Sequence, residues 1–138
     1  MFRKPQRKHT TQSIFSIRSI EELPQVVVIF AHSNMDGDLI RAAVELGAKG
    51  IVLAGVGNGN ASKLAIAAMC EAREQGVVIV RSTRSSSGAV LRNQEIDDDA
   101  TGFVVSDQLN PAKARVLLQL GLTETNDVKT IQEYFWTY

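Results

Sequence analysis

The stretch GIVLAGVGNGN, residues 50–60, joins a short apolar run to a turn that is rich in glycine. Its apolar part, Ile51 to Ala54, has the uninterrupted hydrophobicity that is typical of a strand covered on both faces. From about Ser62 the apolar residues follow a helical spacing, and Gly76 is placed to end that helix. A strand, a glycine turn and a helix in this order predict one unit of an α/β fold with a parallel sheet.

A similar unit lies upstream of this stretch. The β-branched run from Val26 to Phe30 predicts another buried strand, and the residues from Asp36 to Leu46 predict a helix that ends at Gly47. The spacing places four apolar residues on the inner face of that helix: Leu39, Ala42, Ala43 and Leu46.

Further elements follow downstream. The pattern predicts strands at Val77–Val80 and Phe103–Val105, a helix opened by Asn110 and Pro111, and a final helix from about Asp127. The apolar residues predicted to pack from these two helices are Val116, Leu117, Leu120 and Leu122 in the first, and Val128, Ile131 and Phe135 in the second. Strands that alternate with helices predict an α/β domain with a small, doubly wound parallel sheet of about four strands, in a three-layer Rossmann-like or flavodoxin-like arrangement.

Length and charge indicate one domain with a basic arm. The 138 residues suit a single domain, and the 44% hydrophobic content with 6% aromatic residues indicates an aliphatic core. The net charge is zero, but the first 20 residues contain no acid and five basic residues: Arg3, Lys4, Arg7, Lys8 and Arg18. We therefore expect a linker or arm at residues 1–23 and the α/β domain at 24–138.

Composition also excludes several classes of function. A single cysteine, Cys70, excludes an internal disulfide and a cysteine-based zinc site, and its helical context predicts that it packs in the core. No segment approaches the roughly 20 apolar residues of a membrane span, and no apolar stretch follows the basic start as in a signal peptide. We expect no cofactor, metal, nucleic-acid or membrane partner, and a cytoplasmic location for the chain as written.

Ligands of parallel α/β sheets bind beyond the carboxyl ends of the strands, which here means the loops at 31–37, 55–62 and 81–99. Backbone N–H groups of the turn from Gly55 to Asn60 could hold a carboxylate or phosphate. The turn departs from the dinucleotide fingerprint at Asn60, where a small residue is expected, although Arg81 or Arg84 could meet an NADP 2′-phosphate. A tight turn capped by Asn60 is the favoured interpretation.

Polar side chains in the third loop leave several interpretations open. The acidic run from Glu95 to Asp99 fits a solvated loop, or Glu95 could pair with a ligand ammonium group. The segment from Arg81 to Gly88 could line a site or fill a loop, and a Ser-His-Asp set built on His32 has little support.

Longer strings in the chain resemble a known family. GIVLAGVGNGN at 50–60, VVIVRSTRSSSGAV at 77–90 and EIDDDATGFVVSDQLNPAKARVLLQLGLTET at 95–125 are similar to the C-terminal domain of type II bacterial L-asparaginases. The segment before Phe30 resembles that family's interdomain linker and first strand. The resemblance extends over essentially the whole chain.

The resemblance implies part of a two-domain amidohydrolase that converts L-asparagine to L-aspartate and ammonia, often accepting L-glutamine slowly. The family's threonine nucleophile, second threonine and aspartate–lysine pair lie on an N-terminal domain with no counterpart here. By resemblance, Asn60 approaches the substrate and Glu95 binds its α-ammonium group, both in the active site of a neighbouring subunit. We therefore expect these two side chains to share one edge, and no catalytic residue in this chain.

Two hypotheses of function follow. The first is a substrate-positioning domain of an L-asparaginase that is inactive alone and associates with itself or with intact asparaginase subunits. The alternative is a non-catalytic module that self-associates or binds anions through the turn from Gly55 to Asn60.

Overall fold

The computed structural model describes residues 7–138. Within them lie four strands: β1 Val26–Phe30, β2 Gly50–Gly55, β3 Val78–Thr83 and β4 Val104–Val105. The helices are α1 Asp38–Glu45, α2 Lys63–Glu74, α3 Asp98–Thr101, α4 Pro111–Glu124 and α5 Val128–Thr137, preceded by a single 3₁₀ turn at Thr10–Gln12. Every strand and long helix predicted from the sequence is present.

The four strands form one parallel sheet in the order β1-β2-β3-β4. Each strand therefore pairs with its neighbour in the sequence, and the order does not reverse inside the sheet. Helices cover both faces, so the predicted three-layer α/β fold with a four-stranded parallel sheet is confirmed.

Two apolar clusters hold the layers together. On one face, α1 and α2 pack through small and aliphatic residues such as Ile40, Ala68 and Met69 against Ile51 and Ile79 of the sheet. On the other face, α4 and α5 cover a row of valines, which are Val26, Val52, Val78, Val80 and Val104. The alternation of side chains along each strand produces this division, because successive residues point to opposite faces.

The inner faces of two helices differ from the prediction. In α1 the buried residues are Ile40 and Ala43, whereas Leu39 and Leu46 are 59% and 75% exposed. In α4 the buried residues are Ala114, Leu117, Leu118 and Gly121, and Val116 is 53% exposed. Both helices carry two adjacent apolar stripes at helical spacing, so the pattern alone did not identify which stripe meets the sheet. In α5, Ile131 and Phe135 are buried as predicted.

Strand β3 continues three residues beyond the predicted end. Arg81, Ser82 and Thr83 all belong to the strand, and each is buried. The interpretation of these three residues as the start of a polar loop was therefore wrong. The strand continues because β2 pairs with it as far as Thr83, and because polar partners satisfy the buried side chains of Arg81 and Ser82.

Residues 7–15 of the expected arm contact the domain. Arg7 forms an ion pair with Asp107, and the Lys8 N–H donates to the Thr137 carbonyl at 3.1 Å. The ring of Phe15 lies 5.2 Å and 5.1 Å from the rings of Tyr134 and Tyr138. The predicted basic residues Arg3 and Lys4 lie outside the described residues.

Candidate functional site

Three loops meet at the carboxyl edge of the sheet. The Arg84 N–H donates to the Gly55 carbonyl at 2.9 Å, and the Arg84 side chain donates to the Ala31 carbonyl at 2.7 Å. The Ser62 hydroxyl also donates to the Met35 carbonyl. These bonds join the loops that follow β1, β2 and β3, at the edge where parallel α/β sheets bind their ligands.

The turn after β2 folds back on itself. Val56 and Asn60 exchange two backbone hydrogen bonds of 2.8 Å each. The turn passes so close to its own start that a Cβ on Gly55 would lie 2.4 Å from the Gly59 carbonyl carbon. Gly59 itself has φ +74, a conformation that glycine adopts without strain. Close backbone approach therefore explains the glycine at position 55, and the positive φ explains the glycine at position 59.

Asn60 does not cap the helix that follows the turn. The N-cap of α2 is Ser62, whose hydroxyl accepts from the Ala65 N–H at 3.1 Å. The expected cap at Asn60 was wrong by two residues, because Asn60 pairs with Val56 and one residue separates it from the cap. The Asn60 side chain is half-buried, and within residues 7–138 it caps no helix.

The guanidinium of Arg81 is buried beneath this turn. It forms two hydrogen bonds of 2.7 Å to the Asp98 carboxylate, and both side chains are 0% exposed. A third donor, Nη1, reaches the carbonyl of Asn58 at 2.7 Å. Arg81 therefore cannot reach a nucleotide phosphate, and the NADP interpretation based on it is wrong. The turn presents carbonyls, and not only N–H groups, to its surroundings.

The acidic run from Glu95 to Asp99 is divided among different roles. Asp97 caps α3, since its carboxylate accepts from the Ala100 N–H at 2.9 Å, and Asp98 is the buried partner of Arg81. Asp99 pairs with Arg92 at 2.7 Å, and hydrogen bonding from that guanidinium lowers the pKa of the Asp99 carboxyl. A solvated loop describes only part of this segment, because Asp98 is fully buried.

Glu95 is the acid of this run that stays free. Its side chain is exposed, and the carboxylate forms no ion pair within residues 7–138. It lies in a short loop between Asn93 and Asp98, which close the loop by two reciprocal hydrogen bonds of 2.9 Å and 2.8 Å. An exposed carboxylate on an ordered loop can accept hydrogen bonds from a cationic ligand.

The loop of Glu95 and the residues that lead into it are connected to the turn of Asn60. The Asn58 side chain donates to the Leu91 carbonyl at 3.0 Å and accepts from the Leu91 N–H at 2.7 Å. Arg81 adds a second connection, because it contacts both the turn and Asp98. That Asn60 and Glu95 together grip one ligand remains a prediction.

Other candidate groups find less support. The His32 ring is exposed and lies 2.8 Å from the Ser33 carbonyl, and among residues 7–138 it has no acid or serine hydroxyl bonded to it. No group of three or more histidine, cysteine or acidic residues forms a metal-binding cluster within that range. Cys70 packs against the core as predicted, and burial raises the pKa of its thiol.

One concavity among the described residues is lined mainly by apolar side chains. It has a volume of about 540 Å³ and lies between the arm and α4, where Phe15, Val116, Leu120 and Tyr138 line it. Next to the edge, a more polar concavity of about 440 Å³ is lined by Thr83, the serines at 85–87 and Lys113. In the part of the chain described, no helix has the length and apolar character needed to cross a bilayer.

Sequence reasoning did not assign a structural role to Asn58, Arg81 or Asp98. One signal was available in the sequence. Arg81 directly follows the apolar run 77–80, and a residue that continues a strand buried on both sides is itself buried. A buried arginine requires an acid, but the sequence offers several within reach of the same loop.

Comparisons with known proteins agree with this description. Residues 25–135 match the family model of the glutaminase/asparaginase C-terminal domain. The chain is 46% identical over 133 residues to a probable periplasmic L-asparaginase of Haemophilus influenzae, a match that covers 96% of this chain and 38% of that protein. It is 44% identical to L-asparaginase 2 of Escherichia coli, with 99% and 39% covered. For L-asparaginase 2 of Bacillus subtilis the identity is 47%, with 96% and 35% covered. The chain therefore spans a little over a third of the length of these curated relatives.

Proposed function

The chain belongs to the glutaminase/asparaginase family through its C-terminal domain, and from this premise we propose that it is the substrate-positioning domain of an L-asparagine amidohydrolase. Residues 24–138 form that domain in this proposal, and residues 1–23 are the linker that leads into it. The substrate is L-asparagine, with L-glutamine as a second possible substrate of the same site.

The observation that carries the proposal is the exposed carboxylate of Glu95, which forms no ion pair within residues 7–138 and lies on a loop that Arg81 connects to the turn of Asn60. An amino-acid substrate carries an α-ammonium group, which needs a counter-charge to leave bulk water. Glu95 supplies that charge in the proposal. Asn60 supplies a side-chain amide, which can donate and accept hydrogen bonds at the polar end of the same ligand.

Hydrolysis of the substrate amide needs groups beyond these two. A nucleophile must be activated by a base within hydrogen-bond reach, and we assign no residue of this chain to that role. The domain therefore acts by holding the substrate for a nucleophile carried by another domain. The resemblance supports an intact asparaginase subunit as the source of that domain, and a second copy of this chain as a further partner for association.

The proposal is tested by measuring ammonia release from L-asparagine. The chain is assayed alone and after it has been joined behind the preceding domain of one of the curated relatives. We expect no release from the chain alone and measurable release from the joined protein. Ammonia production by the chain alone would contradict the proposal, because it would require a nucleophile among these residues.

Glu95→Gln in the joined protein tests the role of the carboxylate. Loss of a charge-assisted bond to the α-ammonium group should raise KM about 10- to 100-fold. Glu45→Gln is the matched control, because Glu45 is also exposed but lies at the end of helix α1 and not in the loop of Glu95. An unchanged KM in Glu95→Gln would show that another group binds the ammonium.

A further inference from the structure

Arg81 connects two segments that are far apart in the sequence. Its Nε and Nη2 donate to the two oxygens of Asp98 at 2.7 Å each, in a forked arrangement. Its Nη1 donates to the carbonyls of Asn58 at 2.7 Å and Gly59 at 3.4 Å. One fully buried guanidinium thus holds the turn after β2 and the start of α3.

Asp98 extends the connection to the loop of Glu95. Besides the two bonds from Arg81, its Oδ2 accepts from the Asn93 N–H at 2.9 Å, and its own N–H donates to Asn93 Oδ1 at 2.8 Å. These bonds close the loop of residues 93–98 at its base. The orientation of that base is therefore set by the direction of the Arg81 fork.

Asn58 links the turn to Leu91, two residues before the loop of Glu95 begins. Its side chain pairs with both backbone groups of Leu91, while its carbonyl accepts from Arg81. Asn60, two residues further on, is held in the turn by its paired backbone bonds to Val56. The backbone of Asn60 and the loop of Glu95 are consequently tied to the same three side chains.

We propose that Arg81, Asp98 and Asn58 form a clamp that fixes the position of Asn60 relative to Glu95, and that these three act as positioning residues for the ligand-binding edge. Only the catalytic consequence rests on the function proposed above, because the clamp itself is a property of this domain. None of the three needs to touch the substrate.

Energetics favour a positioning role over a contribution to stability alone. A buried ion pair recovers little more than the cost of removing its charges from water, and apolar side chains of similar volume often serve stability equally well. The forked geometry of arginine instead gives the contact a direction, which lysine cannot reproduce. Recognition of an amino acid by a carboxylate and an amide depends on their separation, so a fixed separation lowers the ordering cost of binding.

The clamp is tested first in the chain itself by amide hydrogen exchange. In Arg81→Lys we expect exchange at Leu91 and Asn93 to accelerate about tenfold or more, because charge-assisted bonds are lost. Amides of the central strands, such as Val52, should keep their protection. Arg41→Lys is the matched control, since Arg41 forms a forked pair with Glu71 on the exposed surfaces of α1 and α2. Acceleration no larger than in the control would overturn the proposal.

Asn58→Ala provides a second test that buries no unpaired charge. It removes both bonds to Leu91 and leaves the Arg81–Asp98 pair in place. The reporters are the amides of Asn93 and Asp98, which do not bond to Asn58 and respond only if the link is transmitted. Accelerated exchange at both amides supports the clamp, and unchanged exchange overturns it. This test remains decisive even if Arg81→Lys does not fold.

Kinetics of the joined protein separate positioning from folding. A clamp that sets the geometry of ligand binding predicts a KM for L-asparagine about tenfold higher in Arg81→Lys, with a smaller change in kcat. A purely structural role would lower the amount of active protein and leave KM unchanged, and that result would overturn the positioning role. If the wild-type joined protein is inactive, the proposed function fails, while the exchange measurements still decide on the clamp.

Discussion

The backbone of Gly50 lies against the side chain of Leu118, so closely that a Cβ at position 50 would lie 2.7 Å from Leu118 Cδ2. Gly50 is the first residue of β2 and pairs with Val26 and Val78 on either side. Its missing side chain is what allows α4 to approach the sheet at this point. Glycine is therefore required at position 50 by the neighbouring Leu118 side chain, and not by the backbone conformation of Gly50.

Gly50→Ala should lower the free energy of unfolding by about 1–3 kcal/mol, because the added methyl group forces Leu118 from its place. Urea denaturation of the chain measures this change. Lys49→Ala is the control, since Lys49 is exposed and directly precedes the strand. In the double variant Gly50→Ala with Leu118→Ala, the loss of unfolding free energy should be smaller than the sum of the losses in the two single variants. The smaller side chain at position 118 leaves room for the added methyl group. Strict additivity would contradict the contact.

The capping role of Ser62 predicts a difference between two neighbouring polar residues. Ser62→Ala removes the bond that the hydroxyl accepts from the Ala65 N–H, which should cost about 0.5–2 kcal/mol of stability, and it also removes the bond to the Met35 carbonyl. Asn60→Ala should cost less, since the Asn60 side chain caps no helix. Thermal or urea unfolding of the two variants gives the comparison. A larger loss for Asn60→Ala would restore Asn60 as a structural residue.

Asp99 gives the chain a pH-dependent interaction. Hydrogen bonds from Arg92 and then Asn93 lower the pKa of the Asp99 carboxyl below its ordinary value of 3.8. A lowered pKa in the folded state means that the contribution is present above the ordinary value and is lost as pH falls through the folded one. We therefore expect the free energy of unfolding of Asp99→Asn to fall less steeply than that of the wild type as pH decreases below about 4, as measured by urea denaturation at a series of pH values. Parallel stability curves in acid would contradict this expectation.

The Cys70 thiol should react slowly in the folded chain. Burial is the main cause that raises its pKa, and the nearby Glu74 and Glu71 act in the same direction, so less thiolate is present at pH 8. Alkylation by iodoacetamide is expected to accelerate when urea unfolds the chain. Equal rates in the folded and unfolded states would show that Cys70 is not protected.

Most of the fold could be predicted because local signals and burial agree. The runs at Val26 and Ile51 are apolar on both sides of the strand, and Asn110 and Asp127 accept from the Lys113 and Thr130 N–H groups as helix caps should. These are signals that a few adjacent residues contain in full.

The predictions that were wrong concern residues whose burial or pairing depends on partners distant in the sequence. Leu39 and Ile40 are both apolar at helical spacing, and only the position of α2 decides which of them is buried. Arg81 continues a strand because Asp98, 17 residues later, neutralises it. No pattern within either segment identifies that pair, so the site could be located at an edge but its internal connections could not.

The sheet order has a consequence for synthesis on the ribosome. Each strand pairs with the one made just before it, so the sheet can assemble in step with translation. The valine-lined face, however, stays largely uncovered until α4 and α5 have been made, because those helices supply most of the residues that pack on it. We expect the nascent chain to expose an aliphatic surface until α5, which ends at Thr137, has been made, and to attract chaperones during that interval.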